Sequence, residues 1–285
     1  MKVAILGTEN SHAYAFCQLI HDNPKYQDIE LVGVYGYEAA ANERLLSEGL
    51  APRAAKEPQE FLGQVDGILV TARHGDLHHE YALPYLKRGV GAFIDKPFTV
   101  ELAKAEEMVA AAQETGALLC GGSSLKFLDE FAPLRRFLKG RTPVGGYVAA
   151  PVSMVNEYGG FYFYAQHLTE CLVSIFGDGV RSVQARRPQP ESNRVSMVFD
   201  YGGFDVTAQY TDAYTYTATV LCKEGCLSAS VTDVAYCYER ELDEFVQMME
   251  SGKMPRDYDA LVYPARLLHA IESAYLTGRE AEAAK

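Results

Sequence analysis

Tryptophan is absent from this 285-residue chain, cysteine is scarce, and no apolar run approaches the length of a membrane span. The six cysteines are scattered. Only Cys222 and Cys226 are close, with a Lys-Glu-Gly turn between them and no further ligand nearby. That layout fits neither a disulfide framework nor a zinc site, so reduced structural thiols are expected. Basic residues are also in deficit: 26 against 38 acids, a net charge of -12. Non-specific nucleic-acid binding is therefore not expected. The opening segment MKVAILGTEN reads as a strand and a polar turn, without the apolar core of a signal peptide. A cytoplasmic chain with no membrane partner is the expectation.

What the chain does have is a regular alternation in its first part. The runs KVAILG, IELVGVYG, GILVTA, GAFID and ALLCGG are nearly continuous apolar strands, each followed or preceded by a helical pattern. Such strands belong in a parallel sheet covered on both faces. Right-handed crossovers make it doubly wound and Rossmann-like. In the helix before ALLCGG, Leu102, Ala105, Val109 and Ala112 recur at helical spacing; Thr99 is its expected N-cap and Gly116 its stop.

After Gly122 the pattern changes. SLKFLDEFAPLRRFLKG predicts a connecting helix, FYAQHLTECLVSIFG another, and two more close the chain, the last with Pro264 at its start or at a kink. Between them, Val195/Met197/Phe199, Val206/Ala208/Tyr210, Tyr216/Ala218/Val220 and Leu227/Ala229/Val231 alternate with period two. The expected fold is thus a Rossmann-like α/β domain over 1–122 and an α+β domain with a mostly antiparallel open sheet over 123–285. Alternating tyrosines and threonines in YTDAYTYTATV suggest a sheet face that pairs with another copy, giving a homodimer or higher homo-oligomer.

Chemistry points first to Asp95-Lys96-Pro97, at the end of GAFID. Open α/β sheets place ligands beyond the carboxyl ends of their strands. A lysine there can hold a substrate hydroxyl and shift its proton affinity. The plainer reading is an ion pair with Asp95 that only shapes the loop. His167, on a helix after Gly159-Gly160 in a tyrosine-rich run, is the second candidate, as a proton acceptor; its plainer reading is a core histidine. His74, His78 and His79 suggest a metal, but no carboxylate or cysteine set completes one, so no metal is expected.

Taken together, a Rossmann-like half, the acid-Lys-Pro motif, Glu114-Thr115-Gly116 before a short strand, Ser124-Leu125-Lys126-Phe127, Gly159-Gly160 leading to His167, and Thr71-Ala72-Arg73 followed by His78 and Ala82 resemble the Gfo/Idh/MocA oxidoreductases over nearly the whole chain. The resemblance implies an NAD- or NADP-dependent oxidoreductase acting on a sugar-like or polyol hydroxyl. It implies Lys96 and His167 as catalytic residues. It places cofactor contacts at Gly7, Thr8, Asn10, Ser11, His12, Gly36, Thr71, Ala72, Arg73, His78, Asp95 and Lys96, and substrate contacts at Lys96, Lys126, Tyr158, Tyr164 and His167. The alternative is a non-catalytic NAD(P)- or sugar-sensing relative on the same fold.

Three departures favour that alternative. The cofactor loop reads Gly7-Thr8-Glu9-Asn10-Ser11-His12, so only the first of three fingerprint glycines is kept. A carboxylate ~4 Å from a phosphate charge costs about 4 kcal/mol at a surface-like dielectric, so Glu9 must point away or be compensated. Gly36 stands where the ribose-binding acid is expected, with Glu38 two residues on. Finally, Phe163 replaces the acid that often precedes the family's histidine by four residues.

Overall fold

A computed structural model describes residues 1–189 and 192–283. The chain forms two units, one of 1–122 with 238–261 and one of 123–237 with 262–285.

In the first unit, β1 (Lys2–Leu6), β2 (Glu30–Tyr35), β3 (Gly67–Val70), β4 (Gly91–Asp95) and β5 (Leu119–Gly122) make a parallel sheet in the order β2-β1-β3-β4-β5. Every residue of β3, β4 and β5 is buried, as a sheet covered on both faces requires. A lone parallel bridge from Val34 to Ala54 adds a vestigial strand outside β2. Counting it, the order is the doubly wound 3-2-1-4-5-6. The switch point then falls between β1 and β3, where such sheets bind ligands.

Four crossover helices follow the strands: α1 (Ser11–Asp22), α2 (Ala39–Ser47), α3 (Gly75–Leu86) and α4 (Leu102–Thr115). The start of α4 differs from expectation. Its N-cap is Glu101, with no side-chain cap bond, while the Thr99 hydroxyl donates to the Glu101 carbonyl. Gly116 does end it, in the left-handed conformation. The connecting segment also differs: SLKFLDEFAPLRRFLKG breaks into two 3-10 turns and a short α5 (Ala132–Leu138).

Residues 238–261, expected in the second domain, pack with the first. The reason is the apolar stripe of α7 (Cys237–Ser251): Leu242, Phe245 and Met248 are buried among Val3, Ile5, Phe16 and Phe93. Gly67 and Gly91 make room, since a Cβ on them would lie 2.7 Å from the Phe245 ring and 2.4 Å from the Met249 sulfur.

The second unit holds a seven-stranded sheet in the order β11-β10-β6-β9-β8-β7-β12. Its strands are β6 (Pro143–Pro151), β7 (Ser182–Arg186), β8 (Val195–Asp200), β9 (Asp205–Thr211), β10 (Tyr216–Cys222), β11 (Gly225–Val231) and β12 (Ala281–Glu282). All neighbours are antiparallel except β6 and β9. Burial alternates along β8, β9 and β10, so one face is packed and the other is open. α6 (Tyr162–Phe176) packs on β6, where Gly146 admits the Phe176 ring. Pro264 lies inside the last helix, α8 (Tyr258–Thr277). No helix among the described residues is long and apolar enough to cross a membrane.

Phe245 tests the placement of α7. Removing its ring from a fully buried site should cost the folded protein about 3–5 kcal/mol. Urea unfolding of Phe245→Ala reads this directly; a change below ~1 kcal/mol would contradict the packing.

Candidate functional site

At the switch point the chain turns at Gly7, whose φ of 110° no side chain tolerates well. A Cβ there would lie 2.1 Å from the Ala72 nitrogen, so the β1 turn rests directly on the loop after β3. Thr71 closes the contact by donating its hydroxyl to the Gly7 carbonyl at 3.0 Å.

The next side chains fold toward β2. The Thr8 hydroxyl donates to Asn42 Oδ1 at 2.7 Å, and Asn42 Nδ2 donates to the Gly36 carbonyl at 2.8 Å. A Cβ at Gly36 would fall 2.0 Å from Thr8 Oγ1 and 3.0 Å from Glu9 Oε2. Gly36 is therefore a glycine because this loop occupies the space a side chain would need. Glu9 is buried and turned aside. Its Oε1 accepts from the Arg73 backbone N–H at 3.1 Å, its carbonyl accepts from the Arg73 guanidinium, and Oε2 makes no hydrogen bond. Burial pushes the Glu9 carboxyl above its ordinary range. Arg73 also reaches Glu38 at 3.5 Å.

α1 begins at Ser11 with Asn10 as its N-cap, but Asn10 does not cap it: its Nδ2 donates to Asp95 Oδ2 at 3.0 Å. With no side-chain cap and no acid in the first turn, the helix N-terminus suits an anion. That amide set, the Gly7 turn and the diverted Glu9 carboxylate are compatible with a dinucleotide pyrophosphate.

Asp95 ends β4 and is fully buried; Lys96 follows, only 4% exposed. The Lys96 N–H donates to Asp95 Oδ1 at 2.6 Å, and the Lys96-Pro97 bond is cis. Burial lifts the Asp95 carboxyl to about 6 despite the opposing charges of His12 and Lys96. His12 is buried too, and burial pulls it down to about 4. Its ring faces Asp95, so it is drawn into the interior beneath the loop.

The three histidines after β3 take three separate jobs. His74 caps α3 by accepting the Asp76 N–H, and His79 pairs with Glu107 at 2.8 Å. His78 is fully buried between two carbonyls: Nδ1 is 2.8 Å from Pro97 O and Nε2 is 2.8 Å from Ala72 O. It ties the Lys96-Pro97 bend, against which Gly75 also packs, to the β3 loop.

In the second unit, His167 projects from α6 and is 5% exposed. Its Nδ1 is 2.6 Å from Ser123 Oγ, and the Tyr164 ring meets it edge-on at 4.5 Å. Glu170, fully buried one turn further, accepts the Ser123 N–H at 3.3 Å and Gln166 Nε2 at 3.4 Å. Lys126 lies in the same 3-10 turn with its ammonium 4.8 Å from the Phe127 ring. Tyr158 packs against Phe163, and the Tyr164 hydroxyl approaches that of Tyr214 at 3.4 Å. Sequence reading overlooked Ser123 and Glu170. Glu170 sits three residues after His167 on one helix face, a spacing visible in the sequence; the partner of Ser123 is 44 residues away and was not.

Residues 1–122 match the model of an oxidoreductase family with an NAD-binding Rossmann fold, Gfo/Idh/MocA. The resemblance read from the sequence holds over that portion of the chain. Among curated proteins, the chain is 23% identical over 163 residues to scyllo-inositol 2-dehydrogenase (NADP(+)) IolU of Bacillus subtilis, covering 56% of this chain and 48% of that protein. The chain thus spans about half the length of that relative. Among solved structures, a myo-inositol dehydrogenase from Corynebacterium glutamicum is 16% identical with a TM-score of 0.83, covering 100% of this chain and 99% of that one. The WlbA dehydrogenase from Bordetella pertussis, in complex with NADH and UDP-GlcNAcA, is 15% identical with a TM-score of 0.82, covering 99% and 98%. These likenesses establish the fold.

Burial holds His78 down to about 4 in the folded chain, below its ordinary value near 6.5. Its contribution to stability is therefore complete above pH ~6.5 and lost as pH falls toward 4, up to about 3 kcal/mol in all. His78→Asn should flatten that part of the stability profile, measured by urea unfolding at pH 7, 6, 5 and 4. Parallel profiles for variant and wild type would remove His78 from this role.

Proposed function

We propose that this protein is an NAD(P)-dependent oxidoreductase acting on a CH–OH group of a sugar-like or polyol substrate. The observation that carries this reading is Lys96: an amine at the carboxyl end of a buried parallel strand, its backbone fixed by Asp95 and its loop fixed through His78. The family match over 1–122 and the inositol and nucleotide-sugar dehydrogenases among the similar proteins support it.

When bound, the nicotinamide dinucleotide supplies the hydride acceptor or donor. The Gly7 turn, the α1 N-terminus, Gly36, and the Thr71–Arg73 loop are the residues that would hold it. The Lys96 ammonium donates to the substrate hydroxyl and lowers its proton affinity. His167 takes the proton at Nε2, because its Nδ1 is engaged by Ser123 and the ring is held by Tyr164. Lys126, Tyr158 and Tyr164 supply polar and aromatic contacts to the ring of the substrate. Arg73, already paired with Glu38, and Glu9 beside Gly36 set the choice between NAD and NADP.

Lys96→Met should lower turnover at least about 10³-fold while the NADH fluorescence titration stays within twofold of wild type. Equal turnover would overturn the role of Lys96. Ser123→Ala should move the acidic limb of the kcat/KM pH profile, since His167 loses its Nδ1 partner; an unmoved profile would remove Ser123 from the proton path.

A second reading, a ligand sensor without turnover, is favoured by one observation: Glu9 carries a carboxylate oxygen without a hydrogen bond beside the β1 turn. NADH binding with no turnover over a broad polyol panel would select it.

The open face of the second unit's sheet is also the proposed contact between copies. It carries the paired hydroxyls Thr217/Ser230 and Thr219/Ser228, and Leu221 is 40% exposed there. Its free thiols suit a reducing compartment, the cytoplasm. Light scattering should give a dimer or larger for wild type and a smaller species for Leu221→Glu; a monomeric wild type would refute the assembly.

A further inference from the structure

His12, Asp95 and Glu241 come from the start of α1, the end of β4 and the first turns of α7, all within the first unit. They are 4%, 0% and 0% exposed. One donor atom from each lies within 4.8 Å of the other two. His12 Nδ1 is 3.3 Å from Asp95 Oδ1 and 3.2 Å from Glu241 Oε2. Neither approach has hydrogen-bond geometry: the ring nitrogen makes no hydrogen bond although it is buried and aimed at two carboxylates.

This off-axis convergence is informative. A proton shared between imidazole and carboxylate lies on the N–H axis and draws one oxygen onto it. Ligands around a cation instead surround a common point. Atoms bound ~2.1 Å from one ion are separated by roughly 3.4 Å at tetrahedral angles and roughly 3.0 Å at right angles. The two observed separations lie inside that interval.

Burial points the same way. Two carboxylates converge on one imidazole in a place closed to solvent, where a bound cation favours their charged forms. Outer contacts are in place as well. Asp95 Oδ2 accepts from Asn10 and Oδ1 from the Lys96 N–H, and the Tyr238 ring covers the His12 ring at 4.4 Å.

We propose that His12, Asp95 and Glu241 form a site for a divalent first-row metal ion, Zn²⁺ by its donor set. One imidazole nitrogen and two carboxylate oxygens are a borderline ligand set that suits Zn²⁺, with water completing the coordination. The ion clasps α7 to the carboxyl end of β4 and offsets the charge of the two carboxylates. This site does not rest on the oxidoreductase reading, and its test needs no turnover.

The full chain, stripped with chelator, is titrated with Zn²⁺ by calorimetry, and crystals soaked in Zn²⁺ are measured at the zinc edge. The expected result is one ion per chain, an anomalous peak among the three side chains, and a raised Tm. Glu241→Gln keeps the shape and removes a ligand charge; it should weaken binding at least about 30-fold, or ~2 kcal/mol. His12→Gln should do the same. No stoichiometric uptake by wild type, a peak elsewhere, or unchanged affinity in both variants would overturn the site. Should either variant fail to fold, the position of the wild-type anomalous peak decides alone.

Discussion

A carboxylate buried completely at the end of a parallel strand is the constraint around which the first unit is organised. Asp95 cannot lose its water without replacements, since an isolated buried charge costs many kcal/mol. It takes them from Asn10 and from the Lys96 backbone, and the His12 ring nitrogen lies 3.3 Å away. Each replacement has a consequence. Asn10 gives up capping α1, so the helix N-terminus is left without a side-chain cap. The Lys96 backbone is pinned at the strand end. His12 is drawn inward and becomes part of the interior with Tyr238 and Glu241.

The same economy explains the unusual first loop. Only Gly7 is retained from the usual glycine pattern, because only there does backbone meet backbone, at Ala72. The side chains that replace the later glycines, Glu9 and His12, are turned to Arg73 and to Asp95. Thr8 is bonded to Asn42, and Glu9 lies against Arg73 and Gly36. The loss of an acid after β2 and the gain of one in the β1 loop are thus two sides of one packing arrangement. A carboxylate still sits next to Gly36, delivered by a different segment of chain.

The second unit follows another logic. Its sheet has one packed and one open face, and α6 covers the packed face of β6. His167 is held by Ser123 and Tyr164, while Glu170 secures the Ser123 backbone from the same helix. The absent acid at position 163 is not replaced in kind. A hydroxyl from the segment leading out of β5 takes up the ring nitrogen instead.

Sequence alone determined the local and periodic features. Continuous apolar runs such as GILV and GAFID specified buried parallel strands, and period-two runs such as VSMVF specified a half-open sheet, because side-chain periodicity is set by backbone geometry within a few residues. The position of Lys96 at a strand end followed from the same reading. Tertiary structure alone decided which distant groups meet. Nothing in α7 announced that Leu242, Phe245 and Glu241 would join a unit more than a hundred residues upstream, since an amphipathic helix states that it has a partner without stating which. Nor did the spacing of residues 12, 95 and 241, or of 123 and 167, predict contact. Those pairings are fixed by how strands order themselves in a sheet and by which buried charge needs which neighbour, and both are properties of the folded whole.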